Sequence, residues 1–193
     1  WIVDFTAESA EALDLVERGL RADRRDPMML GTAGHCYAWF AHDLVKAAAF
    51  IDEAIEINPN YAHAYLQSGI VRTRLGDFPK AVAHLERAFR LSPRDARAYA
   101  FFQAMALALL LAGKAESARD WALRGVQHNP NYSSGWYVLA GSAAVLGHEA
   151  EAQNAARRLL ALDPTFSISN YVRRYPARGP DLLQPLLQGL RLA

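Results

Sequence analysis

Residues 62–95 read AHAYLQSGIVRTRLGDFPKAVAHLERAFRLSPRD. Leu75-Gly76-Asp77 interrupts this stretch in the middle, and Leu91-Ser92-Pro93 closes it. A glycine at a helix C-terminus supplies the left-handed residue that ends the helix, and proline cannot continue one. The stretch therefore predicts a helix, a short glycine turn, a second helix and a proline stop. The same punctuation recurs on both sides. Pro59, Pro93, Pro130 and Pro164 are separated by 34, 37 and 34 residues, and the other three close Ile57-Asn58-Pro59, His128-Asn129-Pro130 and Leu162-Asp163-Pro164. Ala112-Gly113-Lys114 and Leu146-Gly147-His148 repeat the internal turn. Self-similarity at this period is the signature of stacked helical hairpins.

Between the turns, large and small residues keep a register. The first unit has Leu30, Ala33, Gly34, Tyr37, Ala47 and Ile51. The second has Tyr65, Ser68, Gly69, Arg72, Ala81 and Leu85. The third has Phe102, Met105, Ala106, Leu109, Ala118 and Ala122. The fourth has Trp136, Leu139, Ala140, Ala143, Ala152 and Ala156. This register resembles the tetratricopeptide repeat (TPR), in which small residues let the two helices of a repeat approach and neighbouring repeats bury what one cannot. The resemblance implies an all-α fold, a right-handed superhelix of antiparallel helix pairs. The chain divides as one TPR domain over 1–193: a partial repeat at 8–26, marked by Ala12, Val16 and Arg24, then repeats at 27–61, 62–95, 96–132 and 133–166, and a C-terminal cap at 167–193.

Three departures carry expectations. Ala41-His42-Asp43 replaces the glycine turn of the first repeat. The third repeat carries three extra residues before Phe102, so its first helix is expected to start early, capped by Ser92 or Asp95. Arg72 replaces the usual Tyr and is expected to snorkel outward along its stem.

Composition excludes several classes. The 193 residues are 52% hydrophobic and 21% charged with a net charge of +1, too apolar for disorder and without the strong basicity of a nucleic-acid binder. The most apolar run, between Arg97 and Lys114, is shorter than the roughly 20 residues of a membrane span. No signal-peptide pattern is visible, and the lone Cys36 fits a reducing compartment, so the expected location is the cytoplasm. The chain opens at Trp1 and ends at Ala193 inside a helical pattern, and it reads as a region of a longer protein.

After the repeats, residues 166–176 read as a short helix or turn and 178–181 as a loop. Leu182, Leu183, Leu186, Leu187 and Leu190 then recur at helical spacing, with Pro185 in the first turn, giving an amphipathic capping helix. Asp163-Pro164-Thr165-Phe166-Ser167-Ile168 and Leu187-Gln188-Gly189-Leu190-Arg191-Leu192-Ala193 resemble the C-terminal end of TPR-bearing bacterial adenylate/guanylate cyclases. That resemblance implies a regulatory or scaffolding segment whose catalytic domain lies outside this chain. Similar tails follow TPRs in some bacterial transcriptional activators.

A search for chemistry finds no phosphate-binding loop, dinucleotide fingerprint, zinc-protease motif, Cys pair or nucleophile elbow. The six histidines do not form a metal-ligand pattern, and Cys36 reads as a small buried hydrophobe. The expectation is a non-enzymatic segment without cofactor or metal. In the TPR fold the first helix of each repeat lines the concave face. Projecting the matched helices sets His35, Trp39, His63, Gln67, Arg74, Gln103, Leu107, Leu110, Leu111 and Tyr137 towards that groove. The carboxylate clamp of the chaperone-binding TPR family is not matched, because its places carry Gly31, His35, Leu66, Gln67 and Gln103. The expected partner is a protein or peptide segment in the groove, or a second copy of the chain, with no nucleic acid. Leu107, Leu110 and Leu111 would form a patch that monomers seldom leave bare, so a partner, a second copy or the Leu-rich tail should cover them, unless the neighbouring repeats close over them.

Overall fold

The computed structural model describes residues 5–175 and 177–193. Trp1, and Pro176 at the end of the 166–176 segment, lie outside the described residues. The described residues form helices and no strand. In order they are α1 (Phe5–Ala22), α2 (Pro27–Trp39), α3 (Leu44–Ile57), α4 (Ala62–Leu75), α5 (Phe78–Leu91), α6 (Ala98–Leu111), α7 (Ala115–His128), α8 (Ser133–Val145), α9 (Glu149–Leu162), α10 (Ile168–Arg174) and α11 (Gln184–Leu192). A 3-10 turn at Pro180–Leu183 leads into α11.

Local chemistry sets the boundaries. Asp26, Asp43 and Asp77 cap α2, α3 and α5 by accepting from the backbone N–H groups of Met28, Lys46 and Lys80, each cap contributing about 1 kcal/mol. Gly76, Gly113 and Gly147 take φ of +83°, +77° and +76°, the left-handed conformation between the two helices of a repeat. In the first repeat His42 does this work at φ +55°, which explains how that turn closes without glycine.

The pairs α2/α3, α4/α5, α6/α7 and α8/α9 pack as hairpins, and each second helix packs on the next first helix. The first helices also pack on one another, α2 on α4, α4 on α6 and α6 on α8. Those four therefore form the inner layer. Within each hairpin, size is matched across the contact. A β-carbon added at Gly34 would stand 2.9 Å from Ile51 Cδ1, and one at Gly69 2.6 Å from Leu85 Cδ2. The third and fourth repeats carry Ala106 with Ala122 and Ala140 with Ala156 at the same register.

Two expectations are corrected. α6 does not start early: it begins at Ala98, with no side-chain cap at Arg97. The extra residues form two successive turns, Asp95 N–H to Ser92 O and Ala98 N–H to Asp95 O, while the Asp95 carboxylate accepts the Arg97 N–H at 2.7 Å. Arg72 does not snorkel into solvent. Its side chain is only 15% exposed and pairs with Asp52 of the preceding α3. A carboxylate within reach holds a guanidinium more firmly than open water does.

The apolar core has two parts that meet at α4. One gathers α1 to α4 around Leu30, Ile51 and Val71; the other runs from Leu66 and Leu85 to Leu183, Leu186 and Leu187 of the tail. The C-terminal helix packs on α8 and α6, so it shields the array from the inner side. Its backbone passes very close to α8 at Gly189 and Gly141: a β-carbon on Gly189 would meet the Gly141 carbonyl carbon at 2.7 Å and Cα at 2.8 Å.

Candidate functional site: the inner face and the cavity beneath the tail

The inner layer presents two arrangements. Towards the N-terminal end, α2 and α4 bring His35, Gln67 and His63 into one chain of hydrogen bonds. His35 Nδ1 lies 3.3 Å from Gln67 Oε1, and Gln67 Nε2 lies 3.2 Å from His63 Nε2. Gln67 is buried, and both imidazoles are half-buried. The amide fixes the polarity of the chain: its oxygen accepts from His35 Nδ1–H, and its nitrogen donates to an unprotonated His63 Nε2. His63 must therefore be neutral for the chain to form. Burial pushes both rings below the ordinary histidine range, helped at His35 by Arg74 and at His63 by Arg97, although Gln67 acts in the opposite sense on His35.

This gives a pH prediction. A folded-state histidine pKa below the unfolded value means the unfolded chain binds more protons, so stability rises with pH. The stabilisation from keeping these rings neutral is present above the unfolded value of about 6.5 and is lost as pH falls below it. NMR titration of the imidazole carbons is expected to place both rings below that value. A His63 midpoint at or above it would contradict the hydrogen-bond chain.

The second arrangement is a cavity of about 280 Å³. Trp39, Arg74, Gln103, Leu107 and Tyr137 line it from the inner helices, and Phe166, Tyr171 and Tyr175 line it from the tail. The Arg74 guanidinium sits 3.6 Å above the Trp39 ring and 4.6 Å from the Tyr175 ring. Gln103 Nε2 donates to Tyr137 Oη at 2.9 Å. The Tyr137 ring lies 5.0 Å from Tyr171 and 6.1 Å from Phe166. Burial pushes the phenols of Tyr137, Tyr171 and Tyr175 up, so they remain neutral hydrogen-bond donors.

The ten groove residues therefore divide. His35, Gln67 and His63 form the hydrogen-bonded cluster, and Trp39, Arg74, Gln103, Leu107 and Tyr137 line the cavity. Leu110 and Leu111 do not line it. Leu107, Leu110 and Leu111 are 4%, 1% and 6% exposed, inside the core that contains Leu183, Leu186 and Leu187. The apolar patch on α6 is closed by neighbouring helices and by the chain's own tail, as an apolar face must be. Sequence reasoning missed the aromatic contribution of α10 and its flanks. The signal lies in Phe166, Tyr171 and Tyr175, large rings in a segment that carries no repeat landmark.

Among the described residues no group of His, Cys, Asp and Glu could hold a metal ion, and no helix is long and apolar enough to cross a membrane. Cys36 is buried, and burial raises its thiol pKa, which disfavours the reactive thiolate.

Residues 62–95 match the family model of the tetratricopeptide repeat. No curated protein matches the chain at a significant level. Among solved structures, the chain is similar to YrrB, a TPR protein with an unusual peptide-binding site, at 17% identity and TM-score 0.60, over 91% of this chain and 92% of that one. It is similar to TTC0263, a thermophilic TPR protein of Thermus thermophilus, at 20% identity and TM-score 0.69, over 87% and 89% of the two chains. PilF of Pseudomonas aeruginosa aligns at 13% identity and TM-score 0.70, over 81% of this chain and 69% of that one. The fold is that of the TPR solenoids, all-helical throughout the described residues.

Proposed function

We propose that the chain is a non-catalytic protein-interaction scaffold that holds a peptide or protein segment against the inner face of α2 and α4. The observation that carries this reading is the seat of α11. The inner face of α6 and α8 already holds an apolar helical segment, the chain's own tail. The same face on α2 and α4 presents polar handles in His35, Gln67 and His63. Stacked repeats create extended concave surfaces of this kind, and YrrB, a TPR protein of like fold, has a peptide-binding site.

Selection from a displayed peptide library tests the reading. The expected result is an enriched sequence whose synthetic peptide binds the chain. Gln67→Leu or His63→Ala should weaken it about tenfold, the scale of a lost buried hydrogen bond, with the helical circular dichroism unchanged. No enrichment, or binding indifferent to both substitutions, overturns it.

The finer proposal is that this scaffold is the C-terminal regulatory region of a bacterial class III nucleotide cyclase acting in the cytoplasm. The resemblance of residues 163–168 and 187–193 to such tails supports it. Cyclic nucleotide production by the natural protein is the expected result. Operator DNA binding through a winged helix would replace this reading with the activator one, and reversible dimerisation in sedimentation would favour self-association as the scaffold's purpose.

A further inference from the structure

Among the described residues, the cavity beneath the tail encloses a cation without a counter-ion. Arg74 stands in the last turn of α4 and is 1% exposed. Its Nε and Nη1 are buried and have no hydrogen-bond partner. The Tyr171 hydroxyl on the facing tail is also buried; it stands beside the Tyr137 hydroxyl but makes no well-formed hydrogen bond. Asp163 is the sole carboxylate among the lining residues, and it accepts from the Thr165 backbone N–H and hydroxyl instead. Stacking on Trp39 and Tyr175, with the Tyr175 hydroxyl within hydrogen-bonding reach of the guanidinium, stabilises the positive charge but leaves Nε and Nη1 without an acceptor. A buried guanidinium with unmade hydrogen bonds is a costly arrangement.

The missing partner has a definable chemistry. The guanidinium fork matches two oxygens of one carboxylate. A phosphate dianion would call for several converging cations; the other cation lining the cavity is Arg174, whose side chain is exposed. The remaining walls include Trp39, Ile70, Leu107 and Phe166, which suit an apolar body. A volume of about 280 Å³ sits at the lower end of small-molecule sites.

We infer that this cavity binds a compact carboxylic acid, with its carboxylate on Arg74 and its apolar body against Trp39 and Phe166. The carboxylate can belong to a free small acid or to the end of a peptide. The inference goes beyond the peptide-holding reading and does not depend on it, because His35, Gln67 and His63 do not line the cavity.

Calorimetric titration with N-acetylphenylalanine, its amide, and a hexapeptide ending in phenylalanine with a free carboxyl group is the test. The acid is expected to bind, and the amide to bind at least about tenfold more weakly, since charge-assisted hydrogen bonds are lost. Arg74→Met should abolish the preference for the acid. Its unliganded melting temperature should not fall, because an unpaired buried charge has been removed. Tyr171→Phe should weaken binding several-fold. Binding of the hexapeptide as well identifies a chain end as an admissible source of the carboxylate; binding of the free acid alone identifies a small molecule. Equal binding of acid and amide, binding of neither, or acid selectivity retained in Arg74→Met overturns the inference. If Arg74→Met does not fold, the acid-to-amide comparison on the native chain decides alone.

Discussion

Gly189→Ala is expected to detach the C-terminal helix. The added methyl would stand 2.7 Å from the carbonyl carbon and 2.8 Å from the Cα of Gly141, with the carbonyl oxygen nearer still. These are backbone atoms in the middle of α8 and cannot rotate aside, so α11 must move as a body. Leu183, Leu186 and Leu187, now 3%, 0% and 5% exposed, would then leave the core. Each buried leucine contributes about 1.5–3 kcal/mol, partly offset by the freedom the tail regains. A net loss of a few kcal/mol lowers the melting temperature of a chain this size by roughly 2–4 °C per kcal/mol. Calorimetry should show that fall, and trypsin should cut at Arg178 or Arg191 faster than in the native chain. A chain truncated after residue 176 should melt like the variant. A native melting temperature with a protected tail would show that the crossing is not what seats α11.

The second large effect is expected at Gly69. Its added β-carbon would meet Leu85 Cδ2 at 2.6 Å and the Ala81 carbonyl oxygen at 3.2 Å. Leu85 is 1% exposed and Ala81 fully buried, so neither side can give freely. Overpacking of this kind costs about 1–3 kcal/mol. Leu85→Ala alone should cost about 2–5 kcal/mol through the cavity it leaves. The double variant recreates the Ala106 and Ala122 combination that the third repeat already uses. Its loss should therefore be clearly smaller than the sum of the single losses when denaturant unfolding is compared across the cycle. Strict additivity would refute the size match across the hairpin.

What was legible in the sequence was local. A proline stop and a glycine in the left-handed region each act within a few residues, so Pro59 and Gly76 announced helix ends unaided. The small-large register was legible for the same reason, since one hairpin holds both partners. What escaped depended on residues far apart. Arg72 looked like a solvated side chain because Asp52, which holds it, lies on the previous hairpin. The groove position of Arg74 could be projected, but its burial needs Trp39 from α2 and Tyr175 from the tail together. The all-round apolarity of α6 stated that Leu107, Leu110 and Leu111 require a cover. Only the crossing of two glycines, Gly141 and Gly189, determines how closely the tail can come to supply it.

The seat of the tail also orders events in time. Contacts within and between neighbouring hairpins are short in sequence, and such arrays can begin folding at any repeat. The tail is different. The Arg178 N–H donates to the Arg74 carbonyl, and Leu182 reaches Gly76, each across more than a hundred residues. Neither contact exists until α4, α6 and α8 stand side by side. An object otherwise assembled like a zipper thus ends in a clasp, and closure of that clasp certifies that the preceding repeats have found their places.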